Sequence, residues 1–337
     1  MNNLFEHADK ELVIDAFLCW LITEMNEEYL IGLRNDFVSN FLKYDESVSG
    51  VVKKLKAAKQ ENKVDVLCTL ETDQGDKEIL FENKLRSTAH GGQLKRYRVD
   101  KPNAIDYIYL KLGYVHLLDR EAAEGEGYSV KTANDIADLL APYEGKHPFI
   151  DEFYKYVNQG FVKPQSQFEK YLDDDAYSQL DDAEFQQFVM EKIYRKLKKS
   201  GWKDTDLKFK TSANIGSGTP WTQLYFSKIS EKYDINDEVL FFRIDKRSKK
   251  LYLRVNLYSK EGDKYWQEKK ERVKRLREVA GQMQYGAKIH PGNVHNRARN
   301  EVEIAIYFFK EGNSLANLIN ESVHIARTLR KAHQELG

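Results

Sequence analysis

The stretch Asn62-Lys-Val-Asp-Val-Leu-Cys-Thr-Leu-Glu-Thr-Asp-Gln-Gly-Asp-Lys-Glu-Ile-Leu-Phe-Glu-Asn-Lys84 reads as two apolar β-runs joined by a tight polar turn. Strands reject isolated charges from a buried face, so an Asp opening one run and a Glu-x-Lys closing the next need a reason. With Gln74-Gly75 as a two-residue turn, Asp73 pairs with Asp76, and the register sets Asp65 opposite Lys84 and Leu67 opposite Glu82. Opposed residues share a face, as do residues two apart on one strand. Asp65, Glu82 and Lys84 therefore meet on one face, at the end of the hairpin away from its turn. A slip of one residue would send Asp65 to the other face.

Two carboxylates and an ammonium at that spacing suit a hard divalent cation that holds a phosphate and a water, with the lysine beside the developing charge. A surface hairpin with a cross-strand Asp–Lys pair is the alternative on pattern alone. The flanking sequence favours the first reading. The segment resembles the PD-(D/E)xK nuclease superfamily: Val64-Asp65 stands where the family has Pro-Asp, with valine in place of the proline, and Glu82-Asn83-Lys84 is its (D/E)xK. Downstream, Gly91-Gly-Gln-Leu-Lys-Arg-Tyr97 opens a helix and carries the Gln93-x-x-x-Tyr97 spacing found in many members. Upstream, Glu11 sits in the amphipathic run Lys10 to Ile22, where the family often places a helical Glu.

The resemblance implies an α/β fold, a restriction-endonuclease-like αβββαβ core with a mixed central sheet, over residues 1–160. It also implies a Mg²⁺-dependent nuclease, with Mn²⁺ able to substitute. Asp65, Glu82, the Asn83 carbonyl and Glu11 would face the metal, Lys84 would orient the attacking water or stabilise the phosphorane, and Gln93 would position the phosphate or water. Hydrolysis would leave a 5′-phosphate and a 3′-hydroxyl. By the same analogy the substrate is nucleic acid, with DNA expected, the chain is a possible homodimer, and its setting is bacterial restriction, repair or phage defence. A catalytically inactive protein of this fold, binding nucleic acid or a protein partner, is the alternative, and the intact triad argues against it.

The chain has 337 residues with 41% apolar content, enough for two compact units. Its longest apolar stretch, Phe17 to Ile22, falls far short of a membrane span, and a basic-then-apolar leader is missing, so a soluble cytoplasmic protein is expected. Cys19 and Cys68 are its only cysteines, which leaves no disulfide framework and no zinc site of Cys spacing. Fifty-three basic residues balance fifty-three acidic ones, which disfavours tight nonspecific coating of DNA but not a local nucleic-acid site.

Outward from the hairpin, periodicity predicts helices over 7–25 and 30–44, a first strand from Val51 to Ala57 with Lys53, Lys54, Lys56 and Lys59 on a solvated edge, a helix from Gln93 to Val99, and a strand from Asn103 to Leu110. Asp119 to Tyr128 reads as a polar stretch, followed by helices over 132–140 and 147–157. Residues 158–180 turn polar and read as a linker. Beyond it, residues 176–337 read as a C-terminal α+β domain with an antiparallel sheet, whose role would be target recognition, partner binding or dimerisation.

The remaining motifs have plainer readings. Gly216-Ser-Gly218 lacks the residues of a phosphate-binding loop and reads as a turn, and His290 and His295 lack a third ligand. Trp221, Tyr225, Phe241 and Tyr252 fall on strands and read as core. The segment Lys264 to Arg277 carries seven basic and two acidic residues behind Tyr265 and Trp266. It could lie along a phosphate backbone through Lys269, Arg272 and Arg275, with Tyr97 a further nucleic-acid contact. A solvated helix packing Trp266, Val273 and Leu276 inward explains it nearly as well.

Overall fold

The computed structural model describes residues 3–8, 11–59, 64–89, 92–174, 176–212, 221–229, 238–247, 250–258, 266–283, 287–288, 301–308 and 315–335. Gly216, Gly218, Lys264, Tyr265, His290 and His295 lie outside them. The chain divides into two compact units, Met1–Ser166 and Gln167–Gly337.

The first unit is α/β, built on a five-stranded sheet. Its strands β1 (Val52–Lys59), β2 (Val66–Thr72), β3 (Gly75–Lys84), β4 (Asp106–Lys111) and β5 (Ser129–Thr132) lie side by side in chain order. The first three pair antiparallel, and β3, β4 and β5 run parallel, so the sheet is mixed. Helices α1 (Glu11–Glu24) and α2 (Ile31–Asp36) precede it, α3 (Gln93–Asp100) joins β3 to β4, α4 (Leu117–Gly125) joins β4 to β5, and α5 (Ala133–Leu140) and α6 (Pro148–Val157) close the unit. A turn of wider π-helical winding, Phe37–Phe41, extends α2.

Strand alternation sorts the side chains into two cores. Val66, Cys68, Ile79, Phe81, Ile108 and Leu110 face one way and pack with Ile14, Leu18 and Leu21 of α1 and with Ile136 and Leu140 of α5. Leu67, Leu80, Tyr107 and Tyr109 face the other way and pack with Leu94 and Tyr97 of α3 and Ala123 of α4. Helices thus cover both faces of the sheet. Lys56 pairs with Glu71 on the edge strand β1, and the Lys59 ammonium donates to the Leu12 carbonyl at 3.0 Å.

The hairpin register differs from the one the sequence suggested. Thr72 pairs with Gly75 and Leu67 with Leu80, so the turn residues are Asp73 and Gln74, not Gln74 and Gly75. Side chains explain the choice. The Thr72 hydroxyl donates to the Gly75 carbonyl at 2.7 Å and accepts from the Gln74 N–H at 3.1 Å. Asp73 Oδ1 accepts from the Val51 N–H at 2.9 Å, tying the tip to the start of β1. Gly75, at φ 98°, takes the left-handed conformation just after the turn. The shift is two residues, and it leaves every side chain on its expected face.

The polar stretch and the linker of the sequence reading both contain helix. Residues 117–125 form α4, capped by His116, whose Nδ1 accepts from the Asp119 N–H. Residues 158–180 continue as short helical turns, Asn158–Val162, Lys163–Ser166, Phe168–Asp173 and Tyr177–Asp181, and the division between the units falls among them.

The second unit holds a six-stranded antiparallel sheet in the order β10-β11-β9-β8-β7-β6. These strands are β6 (Lys208–Ser212), β7 (Trp221–Ile229), β8 (Glu238–Arg247), β9 (Lys250–Tyr258), β10 (Ala287–Lys288) and β11 (Glu301–Phe308), with helices α7 (Ala183–Lys199), α8 (Trp266–Gln282) and α9 (Leu315–Glu335) packed against them and each other. Phe241 is buried, its ring tilted against that of Tyr225 at 5.1 Å, while Arg243 lies over the half-buried Trp221.

This unit corrects two expected phosphate contacts. Lys269 is 1% exposed and Arg272 8% exposed. The Arg272 guanidinium is spent inward: Nε donates to Glu238 Oε1 at 2.8 Å and Nη2 to Oε2 at 2.9 Å. His333 joins them, with Nε2 3.1 Å from Glu238 Oε1 and Nδ1 3.0 Å from Ser227 Oγ. The imidazole thus bridges the carboxylate and the serine hydroxyl through its two ring nitrogens. Of the three, Arg275 alone faces solvent, beside Glu278 at 3.4 Å.

Candidate active site

Continuing the β2–β3 register one step past Val66 and Phe81 places Asp65 across from Glu82. Leu67 and Leu80 fix which face this is, and Lys84 lies two residues beyond Glu82 on the same side. The three side chains therefore converge at the carboxyl end of β3, where it runs parallel to β4. Ligands in α/β sheets bind at such strand ends.

The cluster is deeply set. Glu82 is fully buried and Lys84 is 6% exposed, while Asp65 is half-buried and opens the site to solvent. Glu82 Oε1 is ion-paired with the Lys84 ammonium. Glu82 Oε2 is buried without a hydrogen bond. Asp65 Oδ2 accepts from the Asn83 N–H at 2.9 Å. Burial pushes Glu82 up to about 7, the Lys84 ammonium opposing the rise and the Asp65 charge adding to it. Burial also raises Asp65, against the Asn83 N–H and the Lys84 charge. For Lys84 burial works against the charge, but Glu82 and then Glu11 more than offset it, and the ammonium stands above its usual value.

Glu11 comes to the site from the opposite layer, because α1 starts where β3 ends. Its Oε1 accepts from the Ser87 hydroxyl at 2.5 Å and the Leu85 N–H at 3.4 Å, and its Oε2 lies 3.7 Å from the Lys84 ammonium. Glu11 thus sits on the lysine. Among the described residues no three His, Cys, Asp or Glu side chains are gathered closely enough to hold a metal by themselves.

Gln93 opens α3 and donates from Nε2 to the Tyr97 hydroxyl at 2.8 Å. Tyr97 is buried in the core beneath, so its ring has no free face for a base. Its phenol is raised by burial, and the charges of Glu82 and Asp65 add to the rise, which marks the helix start as a neighbour of the acids.

Several polar groups here went unread in the sequence. Asp15, one turn after Glu11, is 1% exposed and accepts from Asn83 Nδ2 at 2.8 Å. It thereby ties Asn83, which stands between Glu82 and Lys84 in the chain, to α1. The signal was the i, i+4 spacing from Glu11 on an apolar helix. On β4, Tyr109 lies across from Glu82 and Lys111 across from Lys84. Lys111 is 1% exposed and donates to Asp119 Oδ2 at 2.5 Å, with His116 Nε2 3.4 Å from the same oxygen. A lysine closing β4 as another closes β3 was the available cue.

Asp15 supports a pH prediction. Burial raises its carboxyl to about 6, the bond from Asn83 opposing and the Asp65 charge adding. An acid raised on folding contributes stability below its unfolded pKa and loses it as pH rises through the folded value. Asp15→Asn is therefore expected to raise the melting temperature at roughly pH 8, worth on the order of 1–2 kcal/mol, and to change little near pH 4. Thermal melts across that range check it. Equal shifts at both ends would rule out the buried charge as the cause.

The donor set at the cluster is all oxygen: two carboxylates, one with an orphaned buried oxygen, and the backbone carbonyl of Asn83, next in sequence to Glu82. That suits Mg²⁺, which is bound through one or two carboxylates and keeps waters or phosphate oxygens for the rest. No family model, curated protein or solved structure matches the chain.

Proposed function

We propose that the chain is a metal-dependent nuclease of the PD-(D/E)xK kind that hydrolyses phosphodiester bonds, DNA being the expected substrate, on a restriction-endonuclease-like core in residues 1–166. The observation that carries this reading is the convergence of Asp65, Glu82 and Lys84 on one face at the carboxyl end of β3. The order of α1, the hairpin strands, α3 and β4 along the unit supports it as well.

Asp65, Glu82 and the Asn83 carbonyl would hold the ion. A bound divalent cation supplies Lewis acidity toward the phosphate and lowers the pKa of a coordinated water. The protein's own groups do the rest. Asp65, half-exposed, meets the incoming phosphate first, with its carboxylate aimed by the Asn83 N–H. Glu82 has its charge disfavoured by burial at neutral pH, so loading the site at its raised carboxyl releases a proton. With an ion bound, Glu82 would turn to it and Glu11, 3.7 Å from the Lys84 ammonium, would hold the lysine, leaving that ammonium to face the charge that grows on the phosphoryl oxygens. Gln93, at the mouth, has an amide group to orient a water or a phosphate oxygen. A possible homodimer belongs to the same proposal by analogy.

The test is direct. Purified protein is incubated with labelled DNA and RNA, single- and double-stranded, under Mg²⁺, Mn²⁺ or chelator. The expected outcome is cleavage with either metal, leaving 5′-phosphate ends, and none with chelator. Intact substrates under both metals would overturn the proposal.

A further inference from the structure

On the face of the first sheet opposite Asp65 and Glu82, a groove of about 300 Å³ has Phe41 and Leu139 as apolar lining and Asp36, Lys131, Asp135 and Asp138 as charged lining. Lys131 pairs with Leu110 across β4 and β5, which turns it to this face. The π-helical turn Phe37–Phe41 brings Phe41 beneath it, and the ammonium rides 4.8 Å above the ring.

Lys131 is 7% exposed, and among the described residues no carbonyl or carboxylate takes a hydrogen bond from it. An ammonium carries three donors, and the face of one phenyl ring satisfies none of them as an oxygen does. Burial holds the group below the ordinary lysine value, with the Asp135 charge restoring only part.

The acids are unequal. Asp36 is committed, its Oδ2 accepting from the Tyr143 hydroxyl at 2.5 Å and its Oδ1 from Asn40 at 3.0 Å. Asp135 Oδ2 caps α5 by accepting from the Thr132 N–H at 2.8 Å and hydroxyl at 2.6 Å. Asp138 is exposed at the rim with no hydrogen bond or ion pair among the described residues. The groove thus presents one largely buried ammonium without a protein acceptor and one open carboxylate without a protein donor among the described residues, with an apolar lining between.

We propose that this groove binds a small zwitterion of the α-amino acid class, its carboxylate on the Lys131 ammonium, its ammonium on Asp138, and an apolar side chain against Phe41 and Leu139. Three carboxylates line the groove with the Lys131 ammonium, and Lys43 is a further cation within electrostatic range, so the surroundings stay net acidic and disfavour polyanions such as nucleic-acid strands and nucleotide polyphosphates. The same acids favour a ligand that brings its own positive charge. The site lies on the far side of the sheet from the nuclease cluster, and it stands independently of that reading.

The experiment titrates the full chain with single L-amino acids at millimolar concentration, followed by calorimetry and by thermal melting. Saturable binding of at least one apolar amino acid is expected, with a raised melting temperature. Lys131→Met keeps an unbranched apolar stem over Phe41 and removes the charge, and Asp138→Asn alters an exposed residue, so both variants should fold. Each is expected to weaken binding by about tenfold or more. Absence of binding by every amino acid overturns the proposal. So does binding that survives both substitutions, or acetate or ethylammonium binding alone as tightly as the amino acid.

Discussion

Asp65→Asn is expected to slow metal-dependent phosphodiester cleavage by at least about a hundredfold, ~3 kcal/mol of transition-state stabilisation, without disturbing the fold. The substitution is nearly isosteric. Its amide oxygen can still accept the Asn83 N–H that Asp65 Oδ2 now takes at 2.9 Å, and the position is half-buried, so the local geometry has no cause to change. What disappears is the negative charge at the more exposed carboxylate of the Asp65–Glu82 pair. Cleavage rates and thermal melts measured side by side give the answer, and an Asn variant that cuts at the parental rate would remove Asp65 from the mechanism. Lys84→Ala should be as damaging to activity but harder to interpret, because Glu82 is fully buried and would lose the cation beside it.

Glu238→Gln should destabilise the second unit by about 3–5 kcal/mol, a fall of roughly ten degrees in its melting temperature. Two cationic or donor groups converge on this carboxylate, the bidentate Arg272 and His333. Neutralising it leaves a nearly buried guanidinium without its counter-charge, and that uncompensated charge is the main cost. Burial alone would raise Glu238, but the bonds from His333 and Arg272 overcome it and hold the carboxyl down at about 2. For an acid lowered on folding, the stabilisation is complete above its unfolded pKa of about 4.3 and drains away as pH falls toward the folded value. The gap between parent and variant should therefore be full at neutral pH and shrink in acid. A gap of the same size throughout would mean the charge is not responsible.

The strands of both units were legible because β-runs advertise themselves by alternation, and the face shared by Asp65, Glu82 and Lys84 followed from parity alone. The turn was not legible, since Gln-Gly resembles the commoner hairpin tip and nothing in the sequence announces that the Asp73 carboxylate will reach the Val51 N–H. Asp119 to Tyr128 reads as a polar stretch because an aspartate there suggests a solvent-facing side chain, although Asp119 is buried against Lys111. Partners eight residues apart in the chain and brought together by tertiary packing leave no periodic trace.

The basic helix α8 shows the opposite failure, in which the needed signal was present. Lys269, Arg272, Val273, Leu276 and Ala280 are all buried, and they fall at the spacing of one helical stripe. The stripe that takes Val273 and Leu276 inward carries Lys269 and Arg272 with it. Charge suggested phosphate, while position already said interior. Glu238 is the counterpart that makes this tolerable, and it lies too far away in sequence for any local pattern to pair them.

The two-residue difference in hairpin pairing has one more implication. A pleated ribbon keeps account of odd and even rather than of distance, so lengthening or trimming the arm by pairs returns Asp65 to the same side as Glu82. Removing a single residue from β2 between Asp65 and the tip would exile the aspartate to the layer occupied by α1. The loop at Asp73 and Gln74 is thus open to redesign in steps of two, a freedom that an engineer grafting a binding segment there could use while the acids at the other end stay in place.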